Sequence, residues 1–142
     1  MYTFKELLTE DIDKDNIIKN MEKSISDKSS KMVKINVKIF DKVWRGDKDY
    51  YIGKGGTLNS IGDRYENFLK ILNMPKEKRD RWLTDSKDGN VIAPSVSVYD
   101  DGSVSFGNGR HRFAVLRDLH IKQIPVTMMK DSIQNAKKYK YI

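Results

Sequence analysis

The chain has 142 residues, enough for one domain with a real core and too few for two. It contains no cysteine, which excludes disulfide scaffolds, thiolate metal sites and a cysteine nucleophile. No apolar run nears the ~20 residues of a membrane span and the start of the chain lacks a secretory apolar region, so a cytoplasmic protein without a membrane partner is expected.

In chain order, residues 4–10 read as a short helix. Asp13 or Asp15 then caps a second helix with Ile17, Ile18, Met21 and Ile25 on one stripe. A polar break at 26–31 closes a helical arm over 1–30, and the core is expected over 31–130. Residues 32–40 alternate apolar and polar, the pattern of a half-buried strand. The loop at 46–56 contains Gly-Lys-Gly-Gly-Thr without the phosphate-loop spacing, so it is not read as one.

A helix is expected over 58–73, with Leu58, Ile61, Tyr65, Phe68, Leu69 and Leu72 on one face and Ser60-x-x-Asp63 resembling a capping box. Pro75 opens a short helix to about Leu83 that carries Trp82, and 85–90 is a turn. Segments 91–99 and 103–106 alternate on either side of Asp100-Asp101-Gly102, a β-hairpin. Gly107-Asn108-Gly109 then leads into a helix from Arg110 to about Leu119, with His120 as its cap. Residues 124–128 form a last strand in which Pro125 implies an edge or strand-start position. The Lys-rich tail, 131–142, reads as a short helix. Together these elements make an α+β domain with a small mixed sheet.

The charge balance is +7, with 27 basic against 20 acidic residues. Residues 1–30 hold five lysines and seven acids, so the positive excess belongs to the rest of the chain. Such a body suits an anionic partner: nucleic acid, nucleotide or phosphorylated substrate. Arginine is scarce, yet three of the seven, Arg110, Arg112 and Arg117, fall within eight residues. A glycine loop opening into a helix offers free backbone N–H groups at the positive end of the helix dipole, and Gly107 and Gly109 allow an anion to come close. On a helical wheel Arg112 falls inside the apolar arc, whereas Arg110 and His111 point away from it. A guanidinium on the core side needs a partner, either a protein carboxylate or carbonyl or a ligand phosphate.

Arg64 flanks the apolar arc of its helix, as a second anion contact or a snorkelling surface residue. His111 is a candidate acid/base or phosphate donor, with plain capping as the alternative. Trp44, Tyr50 and Tyr51 are candidates for base stacking or, more simply, for packing. With two histidines nine positions apart, no metal-ligand spacing occurs.

Gly109-Arg110-His111-Arg112-Phe113-Ala114, a short helix and Ile124-Pro125-Val126 together resemble the ParB/sulfiredoxin-like superfamily. Its members share a G-x-x-R or G-x-H-R turn at a helix N-terminus followed by an I-P-V strand. The motif covers about 26 residues here, and the resemblance extends loosely over 31–130. It implies a site for ATP, CTP or another phosphate, without sulfiredoxin chemistry, because Arg110 stands where sulfiredoxins carry their cysteine. By matching positions the site would use Gly109, Arg112 and His111, and the neighbouring Gly107, Asn108, Arg110 and Arg64 complete the candidate set. In an enzymatic version Mg²⁺ bridges the phosphates and a carboxylate, Glu66 or Asp63 on the polar face of their helix, positions an acceptor. The alternatives are a DNA-binding or nuclease-like module and a protein-interaction or inhibitor protein of phage or mobile-element type. About a dozen residues follow Met129, too few for the helix-turn-helix domain of partition proteins.

Overall fold

The computed structural model describes residues 13–22, 29–84 and 93–142, with the side chains of Leu83 and Thr84 outside that description. The expected helix at 4–10, Ile25 and the turn at 85–90 lie outside the described residues. Six helices and four strands are present among the described residues: α1 Lys14–Glu22, β1 Ser30–Asn36, α2 Val37–Trp44, α3 Arg64–Leu72, α4 Lys76–Thr84, β2 Ser95–Val98, β3 Val104–Asn108, α5 Arg110–Asp118, β4 Gln123–Met129 and α6 Lys130–Lys138. The fold is α+β, with one four-stranded mixed sheet in the order β1-β4-β2-β3.

β1 lies antiparallel to β4 with Val33 opposite Val126, β2 joins β4 in parallel at Ser95 and Thr127, and β2 and β3 form the antiparallel hairpin. Asp13 caps α1, its carboxylate accepting from the Asn16 N–H, and Ile17 and Met21 are fully buried. α1 packs on α4, α3 on α5, and α6 against β2 and β4. The segment read as a tail is thus built in. Ala136 and Tyr141 are buried, and the hydroxyls of Tyr139 and Tyr141 donate to the backbone carbonyls of Asp100 and Gly102 in the hairpin turn.

Three boundaries differ from the sequence expectation. The strand expected over 32–40 stops at Asn36, whose side chain accepts from the Ile39 N–H and starts α2. Val37, Phe40 and Trp44 then form a helical stripe, while Ile39, which alternation would turn inward, is exposed. The helix expected from residue 58 begins at Arg64; Leu58 has φ 59° and, like Ile61, is exposed. Pro125 sits in β4, an interior strand, rather than at an edge. Thr127 sends its N–H to the Pro94 carbonyl on the β2 side. Pro125, two residues earlier, turns its missing donor to that same side before β2 begins, so no ladder bond is lost.

α5 is buried almost all round, with Phe113, Ala114, Val115 and Leu116 fully enclosed. It ends as expected at His120 in the left-handed region (φ 64°), whose N–H bonds the Arg117 carbonyl while Ile121 N–H bonds Leu116. An aromatic cluster of Phe40, Trp44, Phe106 and Phe113 fills the space between α2, β3 and α5, with centroids 4.7–5.7 Å apart.

Beside it lies a buried charged network. Arg117 Nη1 bonds Asp41 at 3.0 Å and the Ile52 carbonyl at 2.6 Å, and its Nε bonds Asp118 at 3.0 Å. Asp118 also accepts from the Tyr65 hydroxyl at 2.7 Å and the Gly55 N–H at 2.9 Å. Burial pulls the Arg117 guanidinium down, but Asp118 and Asp41 outweigh it and hold its pKa above the ordinary value. Burial, and next the bond to Asp118, push the Tyr65 hydroxyl far up, so it stays a donor. Gly56 (φ 82°) lies against the Tyr65 ring, where an added Cβ would come within 2.7 Å. Replacing Arg117 with leucine leaves the buried Asp118 without its cationic partner and Asp41 with only the exposed Arg45, and is expected to cost about 3–5 kcal/mol in urea unfolding. Tyr65→Phe, which removes one bond to Asp118, is expected to cost about 1–2 kcal/mol in the same measurement.

Candidate functional site

The strand β3 runs straight into α5, and the residues singled out from the sequence meet at that junction. A cleft of about 800 Å³ is lined by Gly107, Asn108, Gly109, Arg110, His111 and Arg112 from the junction and by Arg64, Asn67, Phe68 and Ile71 from α3. Asp47, Tyr50, Ile61, Trp82, Ser105 and Phe106 complete it. All seven residues expected to bind a ligand therefore line one cleft. Glu66 and Asp63, the candidate catalytic carboxylates, are not among its lining residues. Both sit at the start of α3, but the side of the helix that lines the cleft carries Arg64, Asn67, Phe68 and Ile71 instead.

The junction is tighter than a free glycine loop. Gly107 and Asn108 belong to β3, and the pairing passes from Phe106 opposite Val96 to Asn108 opposite Ser95, which leaves Gly107 as a bulge. The Asn108 side chain accepts from the Ser95 N–H at 3.2 Å and so is committed to the hairpin. Gly109 caps α5 at φ 80°, and a Cβ there would come within 2.8 Å of both Pro94 Cα and Arg112 Nη2. The Phe113 N–H returns to the Gly109 carbonyl, the first bond of the helix, which leaves the N–H groups of the first turn without intrahelical acceptors.

His111 does not point away from the core as the wheel implied. It is buried, and its Nε2 accepts from the Ile61 N–H at 3.0 Å, which places the ring proton on Nδ1. The wheel misplaced it because α5 is covered by α3 as well as by the aromatic cluster around Phe113, so His111 is buried between half-buried Arg110 and Arg112. Burial, then the charges of Arg110, Arg64 and Arg112, lower its pKa to about 4. The neutral ring is thus a clamp holding the 58–61 segment to α5. Arg112 is half-buried with its guanidinium against Gly109, and burial lowers its pKa.

Arg110 is a second clamp: Nη1 donates to the carbonyls of Tyr50 (3.1 Å) and Asn59 (2.8 Å), and the guanidinium lies 5.5 Å from the Tyr50 ring centroid. Burial and the neighbouring charge of Arg64 lower its pKa, with Asp47 a weaker counterweight. Among the described residues no carboxylate lies within ion-pair distance of Arg64 or Arg110. The three aromatic candidates separate: Trp44 is fully buried in the core, Tyr51 stacks edge-on against it at 4.8 Å, and only Tyr50, 58% exposed, reaches the cleft.

Among the described residues no group of three or more His, Cys, Asp or Glu is placed to hold a metal, and no helix is long and apolar enough to cross a membrane. Asp118, Asp41, Tyr65 and Trp82 were not singled out as site or network residues by sequence; the helical spacing of Arg64, Asn67, Phe68 and Ile71 is the signal that could have brought the α3 wall to notice. No protein-family model, curated protein or solved structure matches the chain.

The unfolded chain protonates its histidines near pH 6.5, whereas folded His111 resists down to about 4. Its contribution to stability is therefore full above pH 6.5 and lost as the pH falls through 4. His111→Gln retains an acceptor for the Ile61 N–H without titrating. Thermal melts at pH 7 and pH 5 are expected to show a smaller acid loss in this variant, by on the order of 1 kcal/mol.

Proposed function

We propose that the chain binds a phosphate-bearing ligand of the ATP or CTP kind at the β3–α5 junction, as a domain of the ParB/sulfiredoxin-like type. One observation carries this reading: Arg64 and Arg110 face the same cleft, the charge of Arg64 opposing that of Arg110, with no carboxylate paired to either among the described residues. Two adjacent guanidiniums that form no ion pair favour an arriving anion, because its phosphate relieves their repulsion and accepts forked hydrogen bonds. Arg110 commits only Nη1 to the protein, which leaves Nε and Nη2 for the ligand. The first-turn N–H groups of α5 add dipole support at the same end.

Binding without turnover is the version supported, since Glu66 and Asp63, on which phosphoryl transfer would depend, do not line the cleft. Asp47 is the one carboxylate among the described lining residues, so any Mg²⁺ would be held mainly by the ligand's own phosphates and by water.

Calorimetric titration with ATP and CTP tests the reading. Arg64→Gln, an exposed change that leaves both clamps in place, is expected to weaken binding about tenfold, equivalent to about 1.4 kcal/mol. Added salt is expected to weaken it further. Unchanged affinity in Arg64→Gln, or no binding of either nucleotide, overturns the proposal.

A further inference from the structure

The arginine pair occupies only one end of the cleft. A single stripe of α3 forms its wall in the order Arg64, Asn67, Phe68, Ile71, and at 1.5 Å per residue Ile71 lies about 10 Å along the axis from Arg64. Along that length the wall changes from cationic to apolar. At the far end stands Trp82, which is 37% exposed although its ring centroid is only 5.9 Å from that of Phe68, inclined at 54°. Phe106, half-buried, and Ile71 complete the apolar end, and Asn67 adds an amide to the same wall.

Building on the anion site proposed above, we infer that this far end receives a flat heteroaromatic ring, so that the ligand is a nucleoside di- or triphosphate with its phosphates at Arg64 and Arg110 and its base against Trp82. An inorganic phosphate or a sugar phosphate would fill the arginine end and leave Trp82 and Ile71 wet. An extended nucleoside polyphosphate spans the distance between the two ends, and its base offers a π-face to the indole while its ring edge meets Asn67. The volume of about 800 Å³ is that of a small-molecule site. Tyr50, more exposed than Trp82, stands at the arginine end against Arg110 and so is not the stacking residue.

The experiment is titration of the full chain with ATP, CTP and inorganic tripolyphosphate, in the wild type and in Trp82→Leu. The wild type is expected to bind at least one nucleotide about tenfold or more tighter than tripolyphosphate. Trp82→Leu is expected to bring that nucleotide down to the tripolyphosphate level while tripolyphosphate binding stays as it was. A second measurement needs no variant: the bound nucleotide, but not tripolyphosphate, is expected to shield the exposed indole of Trp82 from acrylamide quenching, with Trp44 silent because it is fully buried. Equal binding of nucleotides and tripolyphosphate, with Trp82 still open to acrylamide, overturns the ring-binding end and leaves the arginine site standing. No binding of any of the three removes both.

Discussion

Arg117 is the residue on which the architecture around the cleft depends. It cannot shed its proton, and it lies almost wholly out of water, so the fold must surround it with acceptors. Asp41 comes from α2, Asp118 from α5 itself, and the Ile52 carbonyl from the loop between α2 and α3. Asp118 in turn takes the Tyr65 hydroxyl from α3 and the Gly55 N–H from the loop. One guanidinium thereby ties together four separate stretches of chain, and the Trp44 and Tyr51 rings lie 5.9 and 5.5 Å from it. Because Asp41, Asp118, Ile52 and Tyr65 are all buried, the elements lock in one arrangement: a slip of α3 along α5 would strand a carboxylate.

The same α3–α5 contact that buries Arg117 at one end opens the cleft at the other. Where Asp118 and Asp41 stand near the C-terminal end of α5, positive charge is neutralised; at its N-terminal end Arg64, Arg110 and Arg112 gather with Asp47 as the only described acid in the lining. The two ends of one helix therefore treat arginine in opposite ways. The clamps of Arg110 and His111 hold the 58–61 segment so that these charges stay close despite their repulsion.

Much of this was legible in sequence where a local rule had no competitor. The β2–β3 hairpin follows from alternation about Asp100-Asp101-Gly102, α5 from its glycine cap and His120 stop, and six of the seven binding candidates that line the cleft from glycine and arginine around one helix start, with Arg64 added from the flank of its own helix. Failures came where two patterns overlapped or where tertiary burial decided. Residues 33–39 satisfy a strand's alternation, yet Val37, Phe40 and Trp44 equally satisfy a helix, and the Asn36 cap settled it. His111 lay on the polar side of a wheel that assumed one buried face, while α5 is enclosed from two directions. The Arg117 network joins residues 41, 52, 55, 65, 117 and 118, and no spacing rule connects positions so far apart.

The order of strands has a consequence for how this chain can be assembled during synthesis. β1 lies near the start of the described core, but among the described residues its one neighbour in the sheet is β4, some ninety residues later. The Asn36 N–H that ends β1 is met by the carbonyl of Tyr141, farther along still. A nascent chain must therefore carry β1 as an unmatched edge until β4 has been made, a long-range closure that slows folding and leaves the strand open to wrong pairing in the meantime. The lysines at 31 and 34, charged and strand-borne, are the kind of residue that discourages such pairing while the partner is awaited.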